Sequence, residues 1–238
     1  MVSIDNVYKT VLNILNKENR GYIVPREFNT LANQAQNEIF EGYFSLRNYA
    51  TSNDSDYSDI KKNVEEKIAL FENEETIPVG AFGNPAGNTT TSYFPYPSNF
   101  YRLGSAVADL SPDKYHITEV SNKDVTYINR SPLMKPTTKN PVYTRHEGGL
   151  VVHPSTGIDN IIISYVRKPN EPQWIGGTQA GQVVANTGAT GYQNFELHPS
   201  EEHELVVKVL AYAGVIIRSS EIVQAAAAKD QQITQSER

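Results

Sequence analysis

Hydrophobic residues recur with helical spacing at the start of the chain. One apolar stripe follows steps of three, four and one: Ile4, Val7, Tyr8, Val11, Leu12 and Leu15. A second stripe follows Pro25: Phe28, Leu31, Ala35 and Ile39, with Phe40 and Phe44 near its end. This spacing places apolar side chains on one face of a helix, and proline is favoured in a first helical turn. The pattern predicts two amphipathic helices, and a weaker stripe predicts a third over residues 58–73.

The last forty residues contain another apolar stripe. It follows the phrase His198-Pro199-Ser200-Glu201-Glu202-His203 and consists of Leu205, Val206, Val209, Leu210, Ala213, Ile216 and Ile217. The proline and the two acids suit the positive end of a helix. We predict a C-terminal helix that serves packing or assembly, because none of these residues is catalytic.

Between residues 76 and 196 the apolar runs are short and are interrupted by proline and glycine. The predicted strands are Thr76–Val79, Phe100–Ala108, Tyr115–Val120, Val142–His146, Leu150–His153 and Ile161–Arg167. The pair Gly148-Gly149 predicts a hairpin turn between two of them. Two long segments rich in Gly, Thr and Asn, Ala81 to Ser92 and Ile175 to Asn194, are predicted to be loops.

The order of these elements predicts an α+β fold. Residues 1–75 form N-terminal helices, residues 76–196 form a β-rich insertion with long loops, and residues 197–238 form a C-terminal helix. The apolar stripes at the two ends each need a partner. We therefore expect the N- and C-terminal helices to pack in one α-helical bundle that carries an inserted antiparallel β region.

Composition argues against several classes of function. The 238 residues carry a net charge of −6, whereas a general nucleic-acid coat would be basic. The chain has no Cys, which removes disulfides and thiolate chemistry and fits a reducing bacterial cytoplasm. No apolar run has the roughly 20 residues of a membrane span, and we expect no signal peptide and no membrane association.

The segment from Asn16 to Glu27 resembles a calcium-binding loop in part. Gly21 and Glu27 fall at the sixth and twelfth loop positions. Arg20, however, stands at the fifth position, where an oxygen ligand is required, and Pro25 begins the next helix early. We interpret the segment as a corner between two helices, and a calcium-dependent regulator is the alternative.

The histidines do not form a metal site in the sequence. His198 and His203 lie about 140° apart around a helix, which makes them poor co-ligands. The others, His116, His146 and His153, are scattered in predicted strands, where hydrogen-bonding or solvated rings are expected.

Two further clusters are interpreted as structural. The acidic cluster of Asp54, Asp56 and Asp59 is typical of a solvated linker with a helix cap. The glycines of the second loop (Gly176, Gly177, Gly181, Gly188 and Gly191) lack the Gly-Lys-Ser/Thr ending of a phosphate loop. We predict no enzyme, no catalytic residue, no cofactor and no bound metal.

A series of short phrases resembles a known family. In order they are Tyr8-Lys9-Thr10-Val11-Leu12, Gly21-Tyr22-Ile23-Val24-Pro25-Arg26-Glu27-Phe28, the Pro97–Leu103 phrase, Ser131-Pro132-Leu133, Ile163-Ser164-Tyr165, Lys168-Pro169 and His198-Pro199-Ser200-Glu201-Glu202-His203-Glu204-Leu205. The series spans nearly the whole chain. It resembles the head-to-tail connector proteins of short-tailed phages, which include tail tubular protein A, and most of all the ring proteins of crAss-like phages.

The resemblance implies a virion structural protein. Its subunits would form a homo-oligomeric ring, a dodecamer, below the portal protein and next to other ring or tail proteins. DNA would pass through the channel without specific binding. The protein would be assembled in the cytoplasm of the bacterial host and would reside in the connector region of the virion.

Three residues are candidates for assembly contacts. Tyr212 and Arg218 belong to the C-terminal helix, and Trp174 follows a proline-rich segment. The aromatic β region also permits a different function, that of a tail-associated protein that binds a host receptor or a glycan.

Overall fold

A computed structural model describes residues 1–17, 23–52, 58–79, 92–179, 182–216, 228–229 and 231–232. The chain forms two compact units. The first, the helical unit, comprises Met1–Leu70 and Pro169–Arg238, and the second, the β unit, comprises Phe71–Lys168. The β unit is therefore an insertion into the helical unit.

The helices are α1 (Ile4–Lys17), α2 (Pro25–Ser52), α3 (Ser58–Ala69), α4 (Asp124–Arg130) and α5 (Glu202–Ile216), the last preceded by a 3-10 turn at Pro199–Glu201. The strands are β1 (Glu72–Pro78), β2 (Ser92–Pro95), β3 (Phe100–Leu110), β4 (Asp113–His116), β5 (Thr118–Glu119), β6 (Val142–His146), β7 (Gly149–His153), β8 (Asn160–Arg167), β9 (Gly176–Gln179) and β10 (Gln182–Ala185). Within the described residues, no helix combines the length and hydrophobicity that crossing a bilayer requires.

The helical unit joins both ends of the chain. Helix α2 packs on α3 and α5, and α1 packs on α5. The apolar stripes predicted for α1 and α2 are buried throughout, because each faces a neighbouring helix. In α5 burial extends over all five positions from Leu205 to Val209, which is wider than a single stripe. The predicted fold class, terminal helices packed together with central antiparallel sheets, is confirmed.

The β unit contains two four-stranded sheets. One has the order β1-β8-β3-β4 and is antiparallel throughout, whereas in the other, β2-β7-β6-β5, β5 runs parallel to β6. A single apolar core draws residues from both sheets, including Ile161 and Ile163 of β8 and Leu150 and Val152 of β7. The two sheets therefore enclose one shared core.

The first and last strands of the β unit are neighbours. Glu72 at the start of β1 pairs with Val166 near the end of β8, and the amide of Arg167 donates to the carbonyl of Phe71 at 2.9 Å. The chain thus enters and leaves the β unit at adjacent points. This geometry allows a unit to be inserted without separating the flanking segments.

Several local predictions differ from the structure. The third helix ends at Ala69 rather than near residue 73, and β1 begins at Glu72. The predicted strand Tyr115–Val120 is two strands that belong to different sheets, divided at the buried Ile117. The segment predicted as a loop from Ile175 to Asn194 contains the paired strands β9 and β10, and most of the Ala81 to Ser92 loop lies outside the described residues.

The structure also divides the chain differently from the predicted segments. Residues 169–196, predicted as part of the β insertion, belong to the helical unit, and the β unit ends at Lys168. The predicted hairpin at Gly148-Gly149 is confirmed, because it joins the antiparallel strands β6 and β7. Gly148 has φ +78°, a conformation that favours glycine.

Candidate assembly surface

A proline-rich strap, residues Pro169–Trp174, crosses α2 in the helical unit. Gln36 Nε2 of α2 donates to the carbonyl of Asn170 at 2.8 Å. The side-chain amide of Asn29 makes two bonds to Trp174, donating to its carbonyl at 3.0 Å and accepting from its amide at 2.9 Å. Side-chain amides on one face of α2 thus fix the backbone of an extended segment that proline keeps out of helical conformations.

Trp174, a predicted assembly residue, lies in the core of the helical unit. Its side chain is 2% exposed, and its ring centroid is 4.5 Å from that of Tyr8. The indole Nε1 donates to Asp5 Oδ1 at 3.1 Å. The indole therefore anchors the strap to α1, and in this fold its surface is not available to a partner.

Glu196 is a buried carboxylate that also holds the strap. It is 6% exposed and accepts from the backbone amide and from Nδ2 of Asn170, each at 2.9 Å. Its own backbone amide donates to Gln36 Oε1 at 3.1 Å. Sequence patterns do not predict this network, because Gln36 lies 134 residues from Asn170 and 160 residues from Glu196, and single polar residues show no periodic pattern.

A groove runs along the exposed face of α2. It consists of two adjoining depressions of about 450 Å³ and 560 Å³ that share Thr30 and Asn33. The first is also lined by Arg26, Asn29, Glu171, Pro172 and Gln173, and the second by Gln34, Asn37, Glu38, Glu41 and Tyr212. The lining is dominated by amides and carboxylates, which can bind a polar surface but supply little apolar anchorage.

Tyr212, the second predicted assembly residue, lies in this groove. Its hydroxyl donates to Glu38, and Lys208 Nζ donates to the same carboxylate at 3.2 Å. Burial, followed by the hydrogen bond to Glu38, raises the pKa of Tyr212 to about 12. Burial acts to raise the pKa of Glu38, but the hydrogen bonds from Tyr212 and Lys208 outweigh it, so the pKa is lowered. The third predicted residue, Arg218, lies outside the described residues.

The two histidines near the C-terminal helix lie in different environments. His198 caps the 3-10 turn, because its Nδ1 accepts from the amide of Ser200 at 3.3 Å. His203 is exposed on α5. Among the described residues, no group of three His, Cys, Asp or Glu side chains is positioned to hold a metal ion.

The partial calcium-loop segment is described only at its ends, since residues 18–22 lie outside the described residues. Glu27, at the twelfth loop position, accepts a hydrogen bond from the amide of Val24 at 3.4 Å and so caps α2. Of the acidic cluster, Asp59 lies in α3, and Asp54 and Asp56 are outside the described residues.

The predicted glycine-rich loop is partly strand. Gly176 and Gly177 belong to β9, and Gly181 lies outside the described residues. Gly191 has φ +95° in the turn that follows β10, and this conformation accounts for a glycine there.

Comparisons with known proteins give no family. No protein-family model matches the sequence, and a search of curated proteins finds no significant match.

Proposed function

We propose that this chain is a structural subunit of the connector between the head and the tail of a short-tailed phage. Copies of the chain form a closed ring, a dodecamer, next to the portal protein and to other ring or tail proteins. The ring extends the DNA channel and joins head to tail. The proposal rests on the resemblance described above, and the layout of terminal helices around a β insertion supports it.

One feature of the structure supports the proposal. Among the described residues, the buried polar or charged ones are Gln36, Thr144, Glu196, Glu201 and Lys208. Each is engaged by a neighbour in its own unit, as Glu196 is by Asn170 and Lys208 is by Glu38. Buried polar groups at an active site are commonly left to act on a substrate, whereas here they fix helices, strands and the strap. Buried polar residues that hold the fold together in this way are expected in a rigid structural subunit.

The charge of the chain also supports a conduit function. Each subunit has a net charge of −6, so the ring would lack the general positive charge that binds DNA phosphates. DNA that passes through it would be bound weakly. A channel densely lined with Lys and Arg in the assembled ring would contradict this part of the proposal.

Cryo-electron microscopy of phage particles that carry this protein tests the proposal. We expect the chain to form a ring between portal and tail. A position at the periphery of the tail would contradict the proposal and would support the receptor-binding or glycan-binding alternative. Absence of the chain from the particle would exclude a virion role.

A further inference from the structure

The β unit carries a segment that projects apolar side chains into solvent. This segment, Ser121–Asn140, is called the α4 segment here. It contains the short helix α4, which has no fully buried residue and in which Val125 and Ile128 are half-buried. After the helix, the amide of Lys135 donates to the carbonyl of Ser131 at 3.1 Å and closes a turn, and Pro136 is buried.

Three large apolar side chains of the α4 segment are exposed. Leu133 is 95% exposed, Tyr127 is 75% exposed and Met134 is 64% exposed. Single exposed apolar residues are ordinary on protein surfaces, but three within eight positions form a local cluster. The turn that displays Leu133 and Met134 is hydrogen-bonded to α4, since the amide of Ser131 donates to the carbonyl of Tyr127 at 3.1 Å. The cluster is thus presented on ordered backbone.

The α4 segment is also basic in an acidic chain. It contains four cations, Lys123, Arg130, Lys135 and Lys139, and one acid, Asp124. The whole chain has 21 cations and 27 acids, so the rest of the chain has 17 cations and 26 acids. Among the described residues, none of these four cations makes an ion pair. Their charge is therefore available to a partner.

We propose that the α4 segment is the surface through which one copy of this chain docks on a second copy, whose remaining residues are net acidic. Its net charge of +3 complements the −9 of the remainder, which favours association and sets its orientation. A closed ring requires two different patches, one on each side of the subunit, and an exposed basic segment supplies one of them. This inference deepens the proposed function and rests on it.

A protein partner explains the segment better than nucleic acid does. Lysine and arginine alone would suffice for phosphate contacts. Leu133 and Met134 gain most when they enter an apolar pocket of a protein, because their burial removes apolar surface from water. If the segment instead binds DNA, the proposal is contradicted.

The test measures self-association of the full chain by sedimentation velocity and native mass spectrometry. We expect the unaltered chain to associate, and more weakly at high salt. Leu133→Asp, and separately Lys135→Glu with Lys139→Glu, should each weaken association at least about tenfold, as loss of one buried anchor implies. Leu70→Asp is the matched control, since Leu70 is 48% exposed but lies in the helical unit. Circular dichroism verifies that each variant is folded.

A second measurement identifies the partner of residue 133. A photoreactive amino acid replaces Leu133, and unlabelled and nitrogen-15-labelled copies are mixed before irradiation. Mixed-label cross-links to acid-rich peptides of another copy support the proposal. Four results would each overturn it. The chain could stay monomeric, the variants could associate normally, or the cross-links could be confined to one copy. The fourth is a Leu133→Asp variant that loses only the binding of duplex DNA.

The two proposals fail in different ways. Self-association through the α4 segment without a ring in the phage particle would remove the connector function alone. A ring in the particle whose subunit contacts exclude the α4 segment would remove this inference alone.

Discussion

At the scale of single residues, burial distinguishes the ion pair of Lys67 and Glu201 from ion pairs at the surface. Lys67 Nζ lies 2.5 Å from Glu201 Oε1, and the Glu201 side chain is only 4% exposed. Lys67 also lies 5.5 Å from the centre of the Tyr43 ring. Lys67 therefore supplies a counter-charge to a carboxylate that is almost fully buried.

Replacing Lys67 by Met should lower the free energy of unfolding by about 3 kcal/mol, because a buried carboxylate loses its counter-charge. Urea unfolding measures the change. Arg145→Met is the comparison, since its pair with Glu119 has a similar distance, 2.8 Å, but both side chains are about half exposed. That variant should lose less than about 1 kcal/mol. Equal losses in the two variants would show that burial is not the deciding factor.

His153 gives the β unit a predictable response to acid. The residue ends β7 and is half-buried. Burial, followed by the nearby His146, lowers the pKa of His153 below its usual value of 6.5. The unfolded chain then binds the proton more readily than the folded chain does. Stability is complete above pH 6.5 and falls as the pH drops through 6.5 towards the pKa of the folded state.

We expect His153→Gln to lose less of its free energy of unfolding than the unaltered chain does between about pH 7.5 and pH 5.5, because the glutamine does not titrate. Urea unfolding at the two pH values gives the comparison. Carboxylates contribute to both proteins alike and cancel in the difference. If acid weakens both proteins equally, the titrating group lies elsewhere.

At the scale of elements, α5 can be assigned to the core. Leu205 and Val209 are fully buried, and α5 packs on α1 and α2. Leu205→Ala should lower the free energy of unfolding by about 2–4 kcal/mol and Val209→Ala by somewhat less, because each leaves a cavity. Leu210→Ala is the control, since Leu210 is only half-buried. Normal stability with failed assembly in the Leu205 variant would instead place this face at an interface.

Local pattern predicted the long elements well and the short ones poorly. The stripes of α1 and α2 repeat over several turns, so the period identifies them before any partner is known. The first four residues of β1, Glu72 to Glu75, are all exposed and mostly acidic, so they show no alternation, and only pairing with β8 makes them a strand. Helix α4 has seven residues and none that is fully buried, so its two half-buried apolar positions, Val125 and Ile128, are too few to form a detectable stripe.

The strap could not be placed from sequence, for a similar reason. Prolines beside Trp174 indicate an extended segment, and such a segment can lie at a surface or in a core. Its position is decided by Asn29, which lies 145 residues away in the chain, and by Asp5, which lies 169 residues away. Side-chain pairs at that separation leave no periodic signal. The groove on α2 is not predicted for the same reason, because α2 forms it jointly with the strap and with Tyr212 of α5.

At the scale of the whole molecule, each unit has its own core. The β unit is one continuous stretch with a core shared by its two sheets, and the helical unit is built from two stretches that its hydrogen bonds hold together. Units with separate cores commonly unfold as separate cooperative transitions. The single Trp of the chain, Trp174, lies in the helical unit, so its fluorescence reports on that unit alone.

Two variants should therefore affect different transitions. Ile163 is fully buried in β8, and Ile163→Ala should lower the stability of the β unit by about 2–4 kcal/mol because a cavity forms. We expect this variant to shift one calorimetric transition and to leave the Trp174 fluorescence transition in place. Leu205→Ala should do the reverse. If each variant shifted the fluorescence transition and the calorimetric transition together, the two units would unfold as one cooperative body. Residues 71–168 would then not be an insertion with a stability of its own.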